Sequence, residues 1–327
     1  MEIVIKSTVK DVIYKVSSRQ LRARSPVFRD LITSQAVAPA HPDQRHRVEV
    51  ENSHNTTALA IVLYILHAQV DNLPENILFD NLVEIAVVCD YYRCATALAP
   101  WDEIWMKPWT HLPISEIPGY EHGLFIWWVF EEADCFSEAT DLFAEKGFFD
   151  DDEFVVAVND DHKSAKKLHH LIPRAIIDSI IQQRKQASQA IVKVCREVYE
   201  RYESNEMVKC QCIRSPKKAQ CDHLVFAELY MGFKEAGLLA KDWSDDIPSH
   251  ISVDMAVRDL AKKFNDIRNI VSGSKFGYND SSHSNCYDFS SQVFQLELVT
   301  TNPLELSSFG KNPVEKTVVT WEDVVSG

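Results

Sequence analysis

The sequence predicts an α+β chain: a small sheet with its helices in the first hundred residues, then a mostly α-helical C-terminal region. Three observations predict it. β-Branched runs open the chain, Met1 to Ile5 and Val9 to Val16. Arg47-Val-Glu-Val-Glu51 alternates strictly between polar and apolar, the period of a half-buried strand. From Thr56 onward the apolar residues recur instead at three- and four-residue spacings, the period of helices. The 327 residues are 46% hydrophobic and 25% charged, which is enough for a sizeable core. That length suggests about two domains.

In chain order, the two β-branched runs are separated by Lys6-Ser-Thr8 and predict a short β-hairpin. Ser17-Ser18 caps a helix containing Leu21, and Ser25-Pro26 opens another, Pro26 to Ile32. Proline suits a first turn because its missing N–H has no intrahelical partner there. A polar loop, Ala38 to Arg47, leads into the Arg47–Glu51 strand. Thr56 or Thr57 opens an apolar helix through Ala58, Leu59, Ile61, Val62, Ile65 and Leu66. Another begins near Phe79 and carries Leu82, Ile85, Ala86 and Val88 to Tyr91 and Tyr92. The order is strand pair, helices, strand, helix, helix.

That order, with these residues, resembles the BTB/POZ domain. Val16-Ser-Ser-Arg-Gln-Leu-Arg-Ala-Arg-Ser-Pro-Val-Phe-Arg-Asp-Leu31 is similar to the family block in which a strand ends in V-S-S, followed by L and by A/S-S-P-V-F. Ala58-Leu59 to His67 resembles its AL-x-x-x-L-x-x-I-H helix. Leu82-Val-Glu-Ile-Ala-Val-Val-Cys-Asp-Tyr-Tyr-Arg-Cys94 resembles the L-x-x-I-A-x-x-x-D-Y-Y-x-C helix of BTB proteins from filamentous fungi. The resemblance implies a BTB/POZ domain over 1–105. It also implies that Asp90, Tyr91 and Tyr92 close the last helix against the sheet, as packing residues and not as catalysts. Almost nothing precedes Ile3, which weighs against the strand-exchanged dimer many relatives form.

Beyond it, Pro100-Trp-Asp-Glu-Ile-Trp-Met-Lys-Pro-Trp109 resembles the tryptophan-containing segment of the same fungal proteins. Trp101 and Trp105, four apart, share a helix face and predict core packing. His111 to His122 is a Pro-punctuated connector, Leu124 to Val129 reads as an internal helix, and Asp134 to Lys146 as another. Residues 106–171 are thus expected to be a helical extension and connector, a region that in larger relatives helps to contact a cullin. Asp150-Asp-Asp-Glu153 and Lys163-Ser-Ala-Lys-Lys-Leu-His-His170 read as solvated faces and turns. Pro173 opens the longest helix, to about Ser204, with Ile176, Ile180, Ala187, Ile191, Val194, Val198 and Tyr202 as a narrow apolar stripe. Gln182-Gln-Arg-Lys-Gln186 lies outside the stripe. Such a helix could be a partner-binding stem, though packing on later helices is the plainer reading. Leu224 to Leu239 and Ser252 to Val271 complete a helical C-terminal domain over 172–295, and 296–327 is expected to be a loose tail. Trp321-Glu-Asp-Val-Val within it is a candidate docking peptide.

One cluster has the residue types of inorganic chemistry: Cys210 and Cys212, then Cys221, then His283 and Cys286. A tetrahedral zinc takes four such ligands. In the resembling fungal proteins, cysteines precede a C-D-x-L-x-x-x-x-L helix and a later H-x-x-C, which Cys221-Asp-His-Leu-Val-Phe-Ala-Glu-Leu229 and His283-x-x-Cys286 are similar to. The expectation is a structural zinc held by Cys210 or Cys212, Cys221, His283 and Cys286, with no other cofactor. Unligated, partly buried cysteines or a conditional disulfide are the alternatives. Cys89, Cys94, Cys135 and Cys195 sit in apolar helical contexts and read as small core residues.

Neither a G-x-S-x-G elbow, a Walker loop, a G-x-G-x-x-G nor an H-E-x-x-H occurs in the sequence. A hydrolase pairing Cys221 with His283 is the remote enzymatic alternative, so no enzyme is expected. The formal net charge of −14 weighs against nucleic acid, and no apolar run approaches a membrane span. No signal peptide opens the chain, so a cytoplasmic or nuclear location is expected. The resemblance then implies a protein partner bound through the BTB helices. Either the chain is an adaptor to a cullin-based ubiquitin ligase, or it is a scaffold or transcription-associated regulator that self-associates as a homodimer.

Overall fold

The computed structural model describes residues 2–6, 12–34, 47–51, 55–99, 101–157, 164–204, 209–210, 218–239, 242–272, 289–299 and 304–309. β1 (Glu2–Lys6) and β2 (Val12–Lys15) form the expected hairpin, with Ile3 opposite Tyr14. β3 (Arg47–Glu51) pairs with the other side of β1 in parallel, Ile3 beside Val48. A parallel neighbour needs a crossover, and α1 (Ser18–Arg24) and α2 (Pro26–Ser34) lie on it. Ser17 caps α1 by accepting the Gln20 N–H at 3.4 Å. α3 (Thr56–Leu66) opens at Thr56, as expected, with Asn55 as its cap. Asn55 Oδ1 accepts the N–H groups of Thr57 and Ala58 at 3.0 and 3.2 Å, because Asx side chains reach the orphan donors of a first turn. α4 (Phe79–Tyr92) ends at Arg93, whose φ of 49° breaks the helix in the left-handed region. The class is α+β, in the predicted order of elements.

α5 (Trp101–Met106), α6 (Tyr120–Phe130) and α7 (Ala133–Lys146) extend the same apolar core. Trp105 is buried and Trp101 packs beside it at 5.9 Å. α6 is largely internal, with Leu124, Phe125, Ile126 and Val129 fully buried and only His122 and Trp128 partly exposed. The chain then makes a second sheet that its sequence does not announce. β4 (Gly147–Asp150), β5 (Glu153–Ala157) and β6 (Ala165–Lys167) are antiparallel in that order. The acidic run is the tip of the β4–β5 hairpin, with Asp151 and Asp152 at φ of 45° and 65°. Short polar side chains tolerate that left-handed region better than most. The basic stretch, expected as solvated, is only partly so. Lys166 and Lys167 lie in β6, whereas His169 is buried.

α8 (Arg174–Glu203) is continuous and serves two cores. Ile176 and Ile180 close the first core. Ala187, Ile191, Cys195, Val198 and Tyr202 open a second, shared with α9 (Lys218–Glu235), α10 (Val253–Ser272) and α11 (Ser290–Glu297). Gln183 and Arg184, read from sequence as outside the stripe, are buried between the two cores. The stretch after 296 is also less loose than expected. Leu296 is fully buried, the Leu304 N–H donates to Thr140 Oγ1 at 3.1 Å, and Phe309 lies 6.1 Å from Phe136. Single apolar side chains can dock on a ready-made core without any periodicity of their own. No helix of the described residues is long and apolar enough to cross a membrane.

Candidate functional site

The N-terminal helices are locked from within. Ser25 Oγ accepts the Phe28 N–H at 3.0 Å and donates to the Tyr92 carbonyl at 2.6 Å. The Phe28 and Tyr92 rings stack at 4.1 Å and 5°. Tyr92 therefore holds α4 against α2, whereas the resemblance implied closure against the sheet. Burial raises its phenol pKa, keeping the side chain neutral. His67 joins α3 to α1: its Nε2 accepts the Ser17 N–H at 2.8 Å, which leaves Nδ1 to donate to the Leu63 carbonyl at 2.7 Å. Arg24 Nη1 reaches the Ile65 carbonyl at 2.9 Å. The outward surface of these helices is mostly charged and polar, Arg19, Arg22, Arg29, Asp30 and Asp80 among it, with a few large apolar side chains between. Tyr64 on α3, Leu78 at the start of α4, Tyr91 at its end and Ile104 on α5 are exposed, Leu78 by 71% and Tyr91 by 44%.

The cysteine–histidine cluster is only partly within the described residues. Cys212, His283 and Cys286 lie outside them. Cys210 is buried in the second core and Cys221 packs against it from α9. Asp222 accepts the Lys209 N–H at 2.7 Å. That bond brings Cys210 to the end of α9 where Cys221 stands. Phe289, three residues beyond Cys286, is buried against Phe264 and Tyr202 at 5.2 and 6.3 Å. Among the described residues no group of three or more His, Cys, Asp or Glu could hold a metal. Among the described residues, the fit to zinc therefore rests on Cys210 and Cys221 alone, both of which belong to the second core.

Two further polar clusters escaped sequence reading. His169 stacks on Phe125 at 4.6 Å and meets His122 edge-on at 5.4 Å and His170 at 4.7 Å. Burial, reinforced by those two imidazoles, pulls its pKa down to about 3. Beside it Glu121 is buried and takes an ion pair from Lys166 at 2.6 Å. The second cluster is centred on Arg184. Its Nε donates to the Gly147 carbonyl at 3.0 Å, and Nη2 to those of Pro248, Ser249 and Ile251 at 3.3, 3.3 and 2.7 Å. The guanidinium also lies over Phe149 at 5.8 Å. Ser188, fully buried, accepts the Ile247 N–H at 2.7 Å. A donor with a planar fork among carbonyls is a structural clamp. Although read as outside the stripe, Arg184 stands four residues after Ile180 and three before Ala187, and that helical spacing was its signal in the sequence.

The thiols that shift, shift away from reactivity: burial pushes Cys135 up to about 11 and Cys195 up to about 12. A nucleophilic cysteine needs the opposite. Comparison with family models, with curated proteins and with solved structures finds no match for this chain.

Proposed function

We propose that this chain is a non-catalytic interaction protein with a BTB/POZ-like N-terminal unit of the filamentous-fungal type. That unit docks a protein partner through its helical face, as an adaptor to a cullin-based ubiquitin ligase. The observation that carries the reading is the succession of elements from Glu2 to Tyr92. It is the order the resemblance implies, and the residues of the three motif blocks, Leu21, Phe28, Leu59, Val62, Leu82, Ile85 and Tyr92, are the ones that build the core. Leu63 and Tyr92 are buried, so the partner meets Tyr64, Leu78, Tyr91 and Ile104.

The test captures the tagged full-length chain from its native cells. Near one-to-one recovery of a cullin, lost in a Leu78→Asp/Tyr91→Asp variant of unchanged melting temperature, supports the adaptor. A second reading, the self-associating scaffold, is favoured by β2, an edge strand whose Ile13 is half exposed. Edge strands pair with further chains. A dimer in light scattering that Ile13→Glu dissociates, without any cullin, supports that reading instead. A monomer that recovers no cullin removes both.

A structural zinc held by Cys210 or Cys212, Cys221, His283 and Cys286 belongs to the same proposal. Such a metal ties loops together and adds folding free energy. Protein purified without chelator is expected to carry about one zinc per chain and to melt lower after the metal is stripped. Less than about 0.2 equivalents would leave these residues without a ligand.

A further inference from the structure

We propose that α8 and α11 form a docking groove for an acidic amphipathic peptide segment of a partner protein, separate from the helical face of the N-terminal unit. Two adjoining hollows, of about 290 and 360 Å³, meet at Lys193. The first runs between α8 and α11 over Ala190, Val194 and Val299. Its α11 side is Gln295 and Val299, and their chain neighbours Phe294 and Leu298, one helical turn apart, are 59% and 58% exposed.

The second hollow supplies the charge. Lys185, Lys193 and Arg196 line it from α8, spread over twelve residues and hence about 17 Å of helix. Lys185 and Lys193 make no ion pair among the described residues. Arg196 is only lightly engaged, with Nη2 at 3.5 Å from the Ser244 carbonyl and its guanidinium over Trp243 at 5.6 Å. The carboxylates nearby are Asp245 and Asp246 on the opposite wall and Glu197 in the first hollow. Asp246 is turned to the interior, where Ser188 Oγ lies at 3.5 Å and its charge favours the buried Arg184 cation. Lys185 and Lys193, without an ion pair among the described residues, stand out on a chain of net charge −14 and favour an acidic ligand. Carboxylates of the partner meet Lys185, Lys193 and Arg196, and its apolar side chains enter the trough beside Phe294 and Leu298. Nucleic acid fits less well, because a long polyanion would extend far beyond the row onto an acidic surface.

The experiment uses the full chain and a fluorescein-labelled twelve-residue peptide of Glu residues with Leu and Phe at helical spacing, followed by anisotropy. Saturable binding is expected, and a Lys-for-Glu version of the peptide should not bind. Lys185→Glu/Lys193→Glu should weaken binding about tenfold or more, as reversal of two charges at a charge-complementary contact does. Phe294→Ser/Leu298→Ser should weaken it independently, and all these variants should keep the parent melting temperature because the altered side chains are exposed. Binding unaffected by the lysine reversal overturns the proposal, as does binding to a heparin oligosaccharide that surpasses the peptide. If the peptide binds only after residues 310–327 are removed, the occupant is the chain's own Trp321-Glu-Asp-Val-Val segment and the external partner is ruled out.

Discussion

His169 shows how one side chain ties this fold to pH. Its imidazole lies on the Phe125 ring with Nδ1 facing the Leu171 N–H at 3.3 Å, and its pKa falls to about 3 from an ordinary 6.5. Between those two values the unfolded chain binds a proton that the folded chain refuses. The contribution of His169 is thus fully present above pH 6.5 and is lost as pH falls through that window. Buried carboxyls act in the opposite sense. Burial raises Asp102, Glu132, Asp141 and Glu145, so their folded forms take up protons first and offset part of the acid loss. Replacing His169 by Asn keeps an acceptor for Leu171 and removes the titration. The fall in urea-unfolding free energy from pH 6.5 to 4.5 should shrink by about 1–2 kcal/mol in His169→Asn. An unchanged slope would assign the proton uptake elsewhere. The sequence hid this residue because Lys-Lys-Leu-His-His reads as a solvated run, and the groups that bury it, Phe125 and His122, lie on a distant helix.

At the scale of elements, legibility followed periodicity. Helices α3, α4, α7, α8 and α10 carry a 3.6-residue apolar repeat, and β3 carries strict alternation, so their boundaries were readable within a few residues. The β4–β6 sheet carries neither. Phe154-Val-Val-Ala157 is buried along its whole length, so alternation vanishes, and the charges of its turn masked the hairpin. The turn itself can be tested. With two successive left-handed residues, it favours Asn-Gly over Asp-Asp. Asp151→Asn/Asp152→Gly should therefore raise stability by about 0.5–1 kcal/mol, and Asp152→Val should lower it by more than about 1 kcal/mol, read as opposite shifts in melting temperature. Gly147 at the other end of β4 allows a close approach. A Cβ there would meet the Phe143 carbonyl oxygen at 2.4 Å and Phe154 Cζ at 2.2 Å. Gly147→Ala is expected to cost about 2–3 kcal/mol by overpacking. The candidate zinc site was legible only as a set of residue types on separate segments, and three of its five residues, Cys212, His283 and Cys286, lie outside the described residues.

At the scale of the whole molecule, the division into two cores raises the question of whether they unfold together. α8 passes through both without a break, which alone would transmit little, since a helix can fray from either end. The lock is lateral. Arg184 holds the Gly147 carbonyl of the first half and the Pro248, Ser249 and Ile251 carbonyls of the second. The Phe149 N–H donates directly to the Ser249 carbonyl at 2.9 Å. Burial lowers the Arg184 pKa, and the Asp246 charge works against that fall. The cation is therefore solvated by oriented carbonyls in place of water, and removing it leaves those acceptors buried and unmet. Calorimetry should show one cooperative transition for the parent chain. Arg184→Ala should cost about 3 kcal/mol and resolve the endotherm into two, because each half keeps its own apolar core but loses the shared polar one. Arg184→Lys restores the charge without the fork that reaches several carbonyls at once. It should therefore fall between parent and Ala, with broadening but incomplete separation. Two resolved transitions in the parent, or an Arg184→Ala chain that melts like the parent, would show that the cores are coupled through α7 and α10 packing and not through this clamp.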